Sequence, residues 1–426
     1  MALKKIKILL TVFGPGIIVM LADTDAGSLI TAAQTGAVWG YRMILLQALL
    51  IPILYITQEL TVRLGVVTRV GHGQLIQRTF GTAWAWLSVA TLVVTCVGAI
   101  LTQFAGISGV GALFGIPCWL SLSLSIFFLL AIVMSGTYRS VERCAIALGL
   151  FELVFIAVAW MAHPLFHDVR TQFFNIPLND PHYFYLAAAN IGAVIMPWMI
   201  FYQQSAIVDK HMSCQEHGLH GDACCVSHRN CQNTYMRFSR IDTAIGAVVT
   251  QLIMMAVMIT TASTIGKINP GCSLNNVHQI SDALIPFLGM TAGKLLFAAG
   301  MLGASLVAAI VVSLTAAWGL GEITGYRHSL EHKPSEAPWF YLAYAVVLLL
   351  GGVLVASHVN LVRLSVAIEV MNALLLPIVL GFLYVLAIKV LPGKYRLKGI
   401  YAWVVGIFLG ATVLLGVGGG IVGLFA

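Results

Sequence analysis

The chain has 426 residues, 59% of them hydrophobic and only 9% charged, with a mean hydropathy of +0.94. A water-soluble domain carries about 25% charged residues, so this composition excludes a water-exposed globule and describes a multi-pass protein embedded in a lipid bilayer. The net charge of +7 sits in short connectors between apolar runs, where it reports topology and not nucleic-acid binding.

Crossing about 30 Å of hydrocarbon takes about 20 apolar residues. Eleven runs qualify, near 8–35, 43–62, 84–112, 118–135, 144–162, 184–206, 241–265, 295–320, 337–356, 361–388 and 400–424. Lys4, Lys5 and Lys7 precede the first run, but it shows no clear cleavage site, so the first span is expected to stay in the mature protein. A cytoplasmic N-terminus places every Lys and Arg inside except Arg42, Arg170, Lys267, Lys294 and Arg363. With an odd number of spans the C-terminus is then extracellular, in a plasma (inner) membrane protein. Cys96, Cys118 and Cys144 lie in or beside apolar segments, and no disulfide framework holds such a fold.

Two spans are interrupted in the middle. In the first, Gly14-Pro15-Gly16 opens an apolar run that breaks at Ala22-Asp23-Thr24-Asp25-Ala26-Gly27-Ser28. Each carboxylate at that depth costs about 2.5–3.5 kcal/mol on insertion scales, so a cavity or ligand must compensate. In the sixth, Ala193-Val194-Ile195-Met196-Pro197-Trp198 places a proline mid-span, which removes a backbone donor and frees carbonyls in the preceding turn. Interrupted helices five spans apart mark two inverted five-helix repeats around a midplane site. The expected repeats are 1–162 and 183–391, joined by an extracellular connector, 163–182, and followed by an eleventh helix within 392–426. The acids placed centrally within spans are Asp23, Asp25, Glu152 and Glu369, and no Lys or Arg sits centrally in any span. A negative interior selects cations.

The Gly14-Pro15-Gly16 opening, the acidic break, Gly36 with Trp39-Gly40-Tyr41, Arg63-Leu64-Gly65-Val66-Val67-Thr68, Leu113-Phe114-Gly115-Ile116-Pro117 and Met196-Pro197 resemble the Nramp divalent-metal transporters. The resemblance implies an all-α LeuT-type fold with eleven transmembrane helices, alternating access, and a metal held by the Asp and Asn of a D-P-G-N motif and the Met of an M-P-H motif. It adds break carbonyls, here Ala22 and Ala193, and a Gln on helix ten, whose place Glu369 takes eight residues before Pro377. D-P-G-N reads Asp25-Ala26-Gly27-Ser28, which keeps the acid and loses the amide. M-P-H reads Met196-Pro197-Trp198, so an indole that carries no proton replaces the histidine. Ala99 and Thr102 stand about where the family has proton-pathway carboxylates. These losses resemble the magnesium-transporting Nramp-related branch, taken to be uncoupled from protons.

Asp25 is the leading ligand, because hard divalent cations take carboxylate oxygens; the plainer alternative is a helix cap. Asp23 adds a second charge or caps locally. Ser28 reaches less far than Asn, which leaves room for the water that Mg2+ keeps. Met196 offers a soft thioether that favours transition metals, which makes Mn2+ the second expected substrate. Gln103 is a candidate partner for a water of the hydrated ion, and Glu152 a residue that pairs with a nearby polar group. The 207–240 connector carries Cys214, His217, His220, Cys224, Cys225, His228 and Cys231, a thiol and imidazole set suited to Zn2+, with a flexible insertion as the alternative. The expected protein is not an enzyme and uses no cofactor. It imports Mg2+ or Mn2+ without moving protons, has no nucleic-acid partner, and is compatible with a monomer. A proton-coupled Mn2+/Fe2+ transporter, an organic-solute symporter and a non-transporting metal sensor are the competing readings.

Overall fold

A computed structural model describes residues 15–134, 138–162, 166–216, 229–283, 289–356 and 360–425. Within them the ordered elements are helices and no strand occurs. The first span is a bent pair, α1 (Pro15–Asp23) and α2 (Ala26–Trp39), whose axes meet at 47°. Then follow α3 (Ile44–Thr68), the short connector helix α4 (His72–Phe80), α5 (Thr82–Leu113) and α6 (Cys118–Met134). Next, α7 (Tyr138–Gly149) passes through a 3-10 turn at Leu150–Leu153 into α8 (Val154–Met161), and α9 (Phe166–Phe173) follows. The sixth span is α10 (Pro181–Val194) and α11 (Pro197–Glu216). The remainder is α12 (Arg229–Ser263), the short α13 (Ile265–Ile268) and α14 (Val277–Asp282), α15 (Met290–Thr324), α16 (Pro338–Val355), α17 (Leu361–Lys389) and α18 (Gly399–Leu424).

Among the described residues, nine helices are long and apolar enough to cross a membrane, and the α1–α2 pair makes a tenth. The apolar α6, with 17 residues, is shorter and occupies the place of the expected fourth span. The expected 207–240 connector is largely helical at its ends, because α11 runs to Glu216 and α12 begins at Arg229. Lys210 pairs with Glu142 at 2.7 Å and Asp209 accepts from the Leu330 amide at 3.3 Å, which gives this polar stretch partners on other segments. The 163–182 connector likewise contains α9, whose Gln172 side chain accepts the Tyr41 amide at 3.0 Å.

The apolar pattern is turned outward at the periphery. In the α10–α11 span 83% of the most apolar window is buried, against 22% in α18, where Trp403, Ile407 and Leu414 are exposed. Exposed side chains of this kind suit hydrocarbon, so α18 lies at the lipid-facing edge and α10–α11 at the centre.

The two ends of the bundle differ. At the end where α3 and α17 finish, Glu59 accepts from Arg63 at 2.5 and 3.1 Å and from Arg240 at 2.7 Å, while Arg63 also donates to the Tyr395 carbonyl at 3.1 Å. Nearby, Glu322 of α15 accepts the Gly73 amide at 2.7 Å and the Ser205 hydroxyl at 2.5 Å, so one carboxylate caps α4 and holds α11. His72 Nδ1 donates to Gln204 Oε1 at 2.9 Å, and burial pushes its imidazole from 6.5 down to about 4. At the opposite end a cavity of about 700 Å³ opens between α2, α10 and α17, lined by Gln34, Trp39, Tyr185, Leu274 and Arg363 among others.

Candidate metal site

At both interruptions a carbonyl loses the backbone donor that a continuous helix would give it. In an unbroken first span the Ala26 amide would bond the Ala22 carbonyl; here it donates to Gln103 Oε1 of α5 at 3.0 Å. In the sixth span Pro197 has no amide to give to Ala193; the Ala193 carbonyl instead accepts the Ser28 hydroxyl at 3.0 Å. That contact joins the two breaks. Of the other carbonyls near the end of α1, Met20 accepts Thr250 at 2.5 Å and Leu21 accepts Thr24 at 3.0 Å.

Asp25 is fully buried and caps α2, with Oδ1 accepting the Ser28 amide at 2.7 Å and Oδ2 accepting Gln103 Nε2 at 2.7 Å. A carboxylate offers about four lone-pair positions, so the cap and the amide leave capacity for a cation. Capping and ligation are therefore compatible roles. Gln103, expected from the sequence to hold a water, has its amide committed to the break itself: Oε1 accepts the Ala26 amide and Nε2 donates to Asp25.

Glu369 reaches the same place from α17. A Cβ on Gly27 would fall 2.3 Å from Glu369 Oε1, and one on Gly192 would fall 1.8 Å from the Glu369 carbonyl. The two glycines thus let α17 close on both interrupted helices. Asn372 donates to Glu369 Oε2 at 2.9 Å, and Oε1 has no hydrogen-bond partner. Asp23 is buried with neither carboxylate oxygen partnered, within electrostatic reach of Asp25, Glu369 and Glu152. Glu152, carried on the 3-10 turn, contacts the Thr24 hydroxyl in the break through Oε2, while Oε1 is unpartnered. Among the described residues no cation pairs with any of these four acids.

Met196 precedes Pro197, and its carbonyl accepts the Met199 amide at 3.1 Å as α11 begins. Its sulfur accepts the Trp198 indole N–H at 3.1 Å, and both side chains are fully buried. Asp25, Ser28, Ala193, Gln103 and Glu369 are thus linked through direct contacts or shared neighbours, with Asp23 and Ala22 on the same break and Met196 on the other. Sequence reasoning missed Asn372, which a helical spacing of three from Glu369 could have found, and the glycine contacts, for which no local signal exists. His217, His220, Cys224, Cys225 and His228 lie outside the described residues, as do the side chains of Cys214 and Cys231. Among the described residues, no group of three or more His, Cys, Asp or Glu forms a metal cage.

The fold and this arrangement define a multi-pass, all-helical membrane protein with buried acids gathered at two interrupted helices. The Nramp family profile, described as natural resistance-associated macrophage protein-like, matches residues 16–421, and the chain belongs to this family. The divalent metal cation transporter MntH of Acidiphilium cryptum is 24% identical over 419 residues, 95% of this chain and 88% of that protein. MntH of Bradyrhizobium diazoefficiens is 24% identical over 315 residues, 72% of this chain and 66% of that one. The Eremococcus coleocola manganese transporter superposes with a TM-score of 0.77 at 18% identity, over 98% of this chain and 88% of that chain. A nucleobase-cation-symport-1 family transporter in a closed conformation gives 0.60 at 11% identity, over 97% and 90%. These likenesses place the chain in the LeuT-type fold.

Proposed function

We propose that the protein imports divalent cations across the plasma membrane by alternating access, with Mg2+ the preferred substrate, Mn2+ the second, and no accompanying proton. The observation that carries this reading is the contact of Ser28 with the Ala193 carbonyl beside Asp25, which brings two half-helix ends and a carboxylate together near three further buried acids. Asp25 supplies charge, Ala22 and Ala193 supply carbonyls, Ser28 a hydroxyl, Met196 lines the second break, and Glu369 adds charge from α17. Hard oxygen donors with few charged groups in direct contact suit Mg2+, which keeps several waters and takes only one or two carboxylates. The names of the MntH relatives and of the manganese transporter support a divalent cation as cargo.

In this reading the N-terminus and the Arg63–Glu59–Arg240 cluster are cytoplasmic, and the 700 Å³ vestibule faces outside. Metal enters through the vestibule while the cytoplasmic contacts hold, and leaves when Glu322 and Glu59 release their partners. Trp198, Ala99 and Thr102 remove the proton carriers that the family resemblance leads one to expect. A proton-coupled Mn2+ transporter is the second reading, favoured by the unpartnered Glu152 oxygen beside the break. Uptake of Mg2+ and Mn2+ into liposomes containing a pH dye decides between them. The expected result is saturable uptake without internal acidification, reduced to background in Asp25→Ala; saturable acidification that tracks metal entry overturns the uncoupled reading.

A further inference from the structure

We infer that Trp198 sets the metal preference of the site by engaging the Met196 sulfur, so that the thioether acts as a weakened donor; this rests on the transport reading above. A thioether is the one soft donor at the two breaks, and soft donors favour Mn2+ and later transition metals over Mg2+. The sulfur of Met196 is not free to act in that way. The Trp198 indole N–H, which can only donate, points at it from two residues along the chain at 3.1 Å. Both residues are fully buried, so solvent offers the indole no substitute partner. A buried N–H that loses its acceptor bears its full desolvation cost.

The backbone makes this contact local and repeatable. Pro197 starts α11, Met196 precedes it, and Trp198 occupies its first turn, where the indole can fold back over the start of the helix. A sulfur that has given one lone pair to an N–H donates less strongly through the other, and a metal that recruits it fully must strand the indole. The remaining donors, Asp25, Ser28 and the carbonyls of Ala22 and Ala193, are oxygens. Trp198 is thus a positioning residue that hardens the site without touching the ion.

The test compares competition of Mn2+ and Cd2+ against Mg2+ uptake in four proteins: wild type, Trp198→Phe, Met196→Leu, and the double variant. Phenylalanine keeps a buried ring and removes the N–H. The expected result is that Trp198→Phe retains Mg2+ uptake and raises the preference for Mn2+ and Cd2+ by about tenfold, and that adding Met196→Leu cancels the gain. Met196→Leu alone is expected to move the preference by less than about twofold, a measurement that stands even if Trp198→Phe fails to fold. A preference within about twofold of wild type in a transport-competent Trp198→Phe, or a large loss of Mn2+ preference in Met196→Leu alone, overturns the proposal. Failure of the transport reading itself looks different: Asp25→Ala would then transport as well as wild type.

Discussion

The break in the first span turns the chain through 47°, whereas α10 and α11 stay close enough in line to count as a single span. The first is polar and held from outside: Gln103 of α5 donates to Asp25 and accepts the Ala26 amide. The second is apolar: a proline opens it, an indole folds back on its own methionine, and its outside contacts are the Ser28 hydroxyl and the backbone of α17. The difference teaches that charge and selectivity are built separately. A carboxylate at membrane depth needs partners from several helices to keep its orientation, while a thioether can be tuned by its near neighbour alone.

The largest effect expected from testing this contrast is at Gly192, where the second break is pressed against α17. Gly192→Ala puts a methyl group into the Glu369 carbonyl, and overpacking of this kind costs about 1–3 kcal/mol, or more where backbone must move. The expected outcome is loss of folded protein by size-exclusion and thermal unfolding; an unchanged melting temperature would mean that α10 shifts freely and that the second break is not fixed by packing. Next is the outside support of the first break. Gln103→Leu leaves Asp25 Oδ2 and the Ala26 amide without their partner, and loss of such an orienting group lowers metal affinity by about 10–100-fold. Isothermal titration with Mn2+ measures it, and wild-type affinity would show that Asp25 holds its own position. The smallest effect belongs to the link between the breaks. Ser28→Ala removes one hydrogen bond to the Ala193 carbonyl, worth about 0.5–1.5 kcal/mol, so uptake at low Mg2+ should fall about threefold; no change would make the two breaks energetically independent.

Both interruptions could be read from the sequence because they violate the composition of their surroundings. Two aspartates with a glycine inside an apolar run, and a proline mid-span, have no plain lipid-facing role. Asp25 follows directly from its position, whereas Ser28 and Ala193 come from the resemblance to the D-P-G-N and M-P-H motifs. The tasks of Gln103 and Trp198 follow from neither. Gln103 meets Asp25 across 78 positions of chain, a distance that only packing closes, and the indole contact depends on a side-chain rotation that spacing leaves open. The ends of the 207–240 connector were hidden for another reason. Their polar residues read as a loop, yet Lys210 finds Glu142 on another helix and keeps its own helix intact.

The diverted Ala26 amide and the missing amide of Pro197 take away the helical partners of the Ala22 and Ala193 carbonyls, and the second of these accepts the Ser28 hydroxyl. Such oxygens belong to every amino acid, so no exchange at positions 22 or 193 that preserves the local path can delete them. In the proposed cargo seat the exchangeable parts are then the side chains at 25, 28 and 369, hung on a pair of main-chain dipoles. A change of ion diet within this architecture can therefore proceed one side chain at a time without rebuilding the cradle.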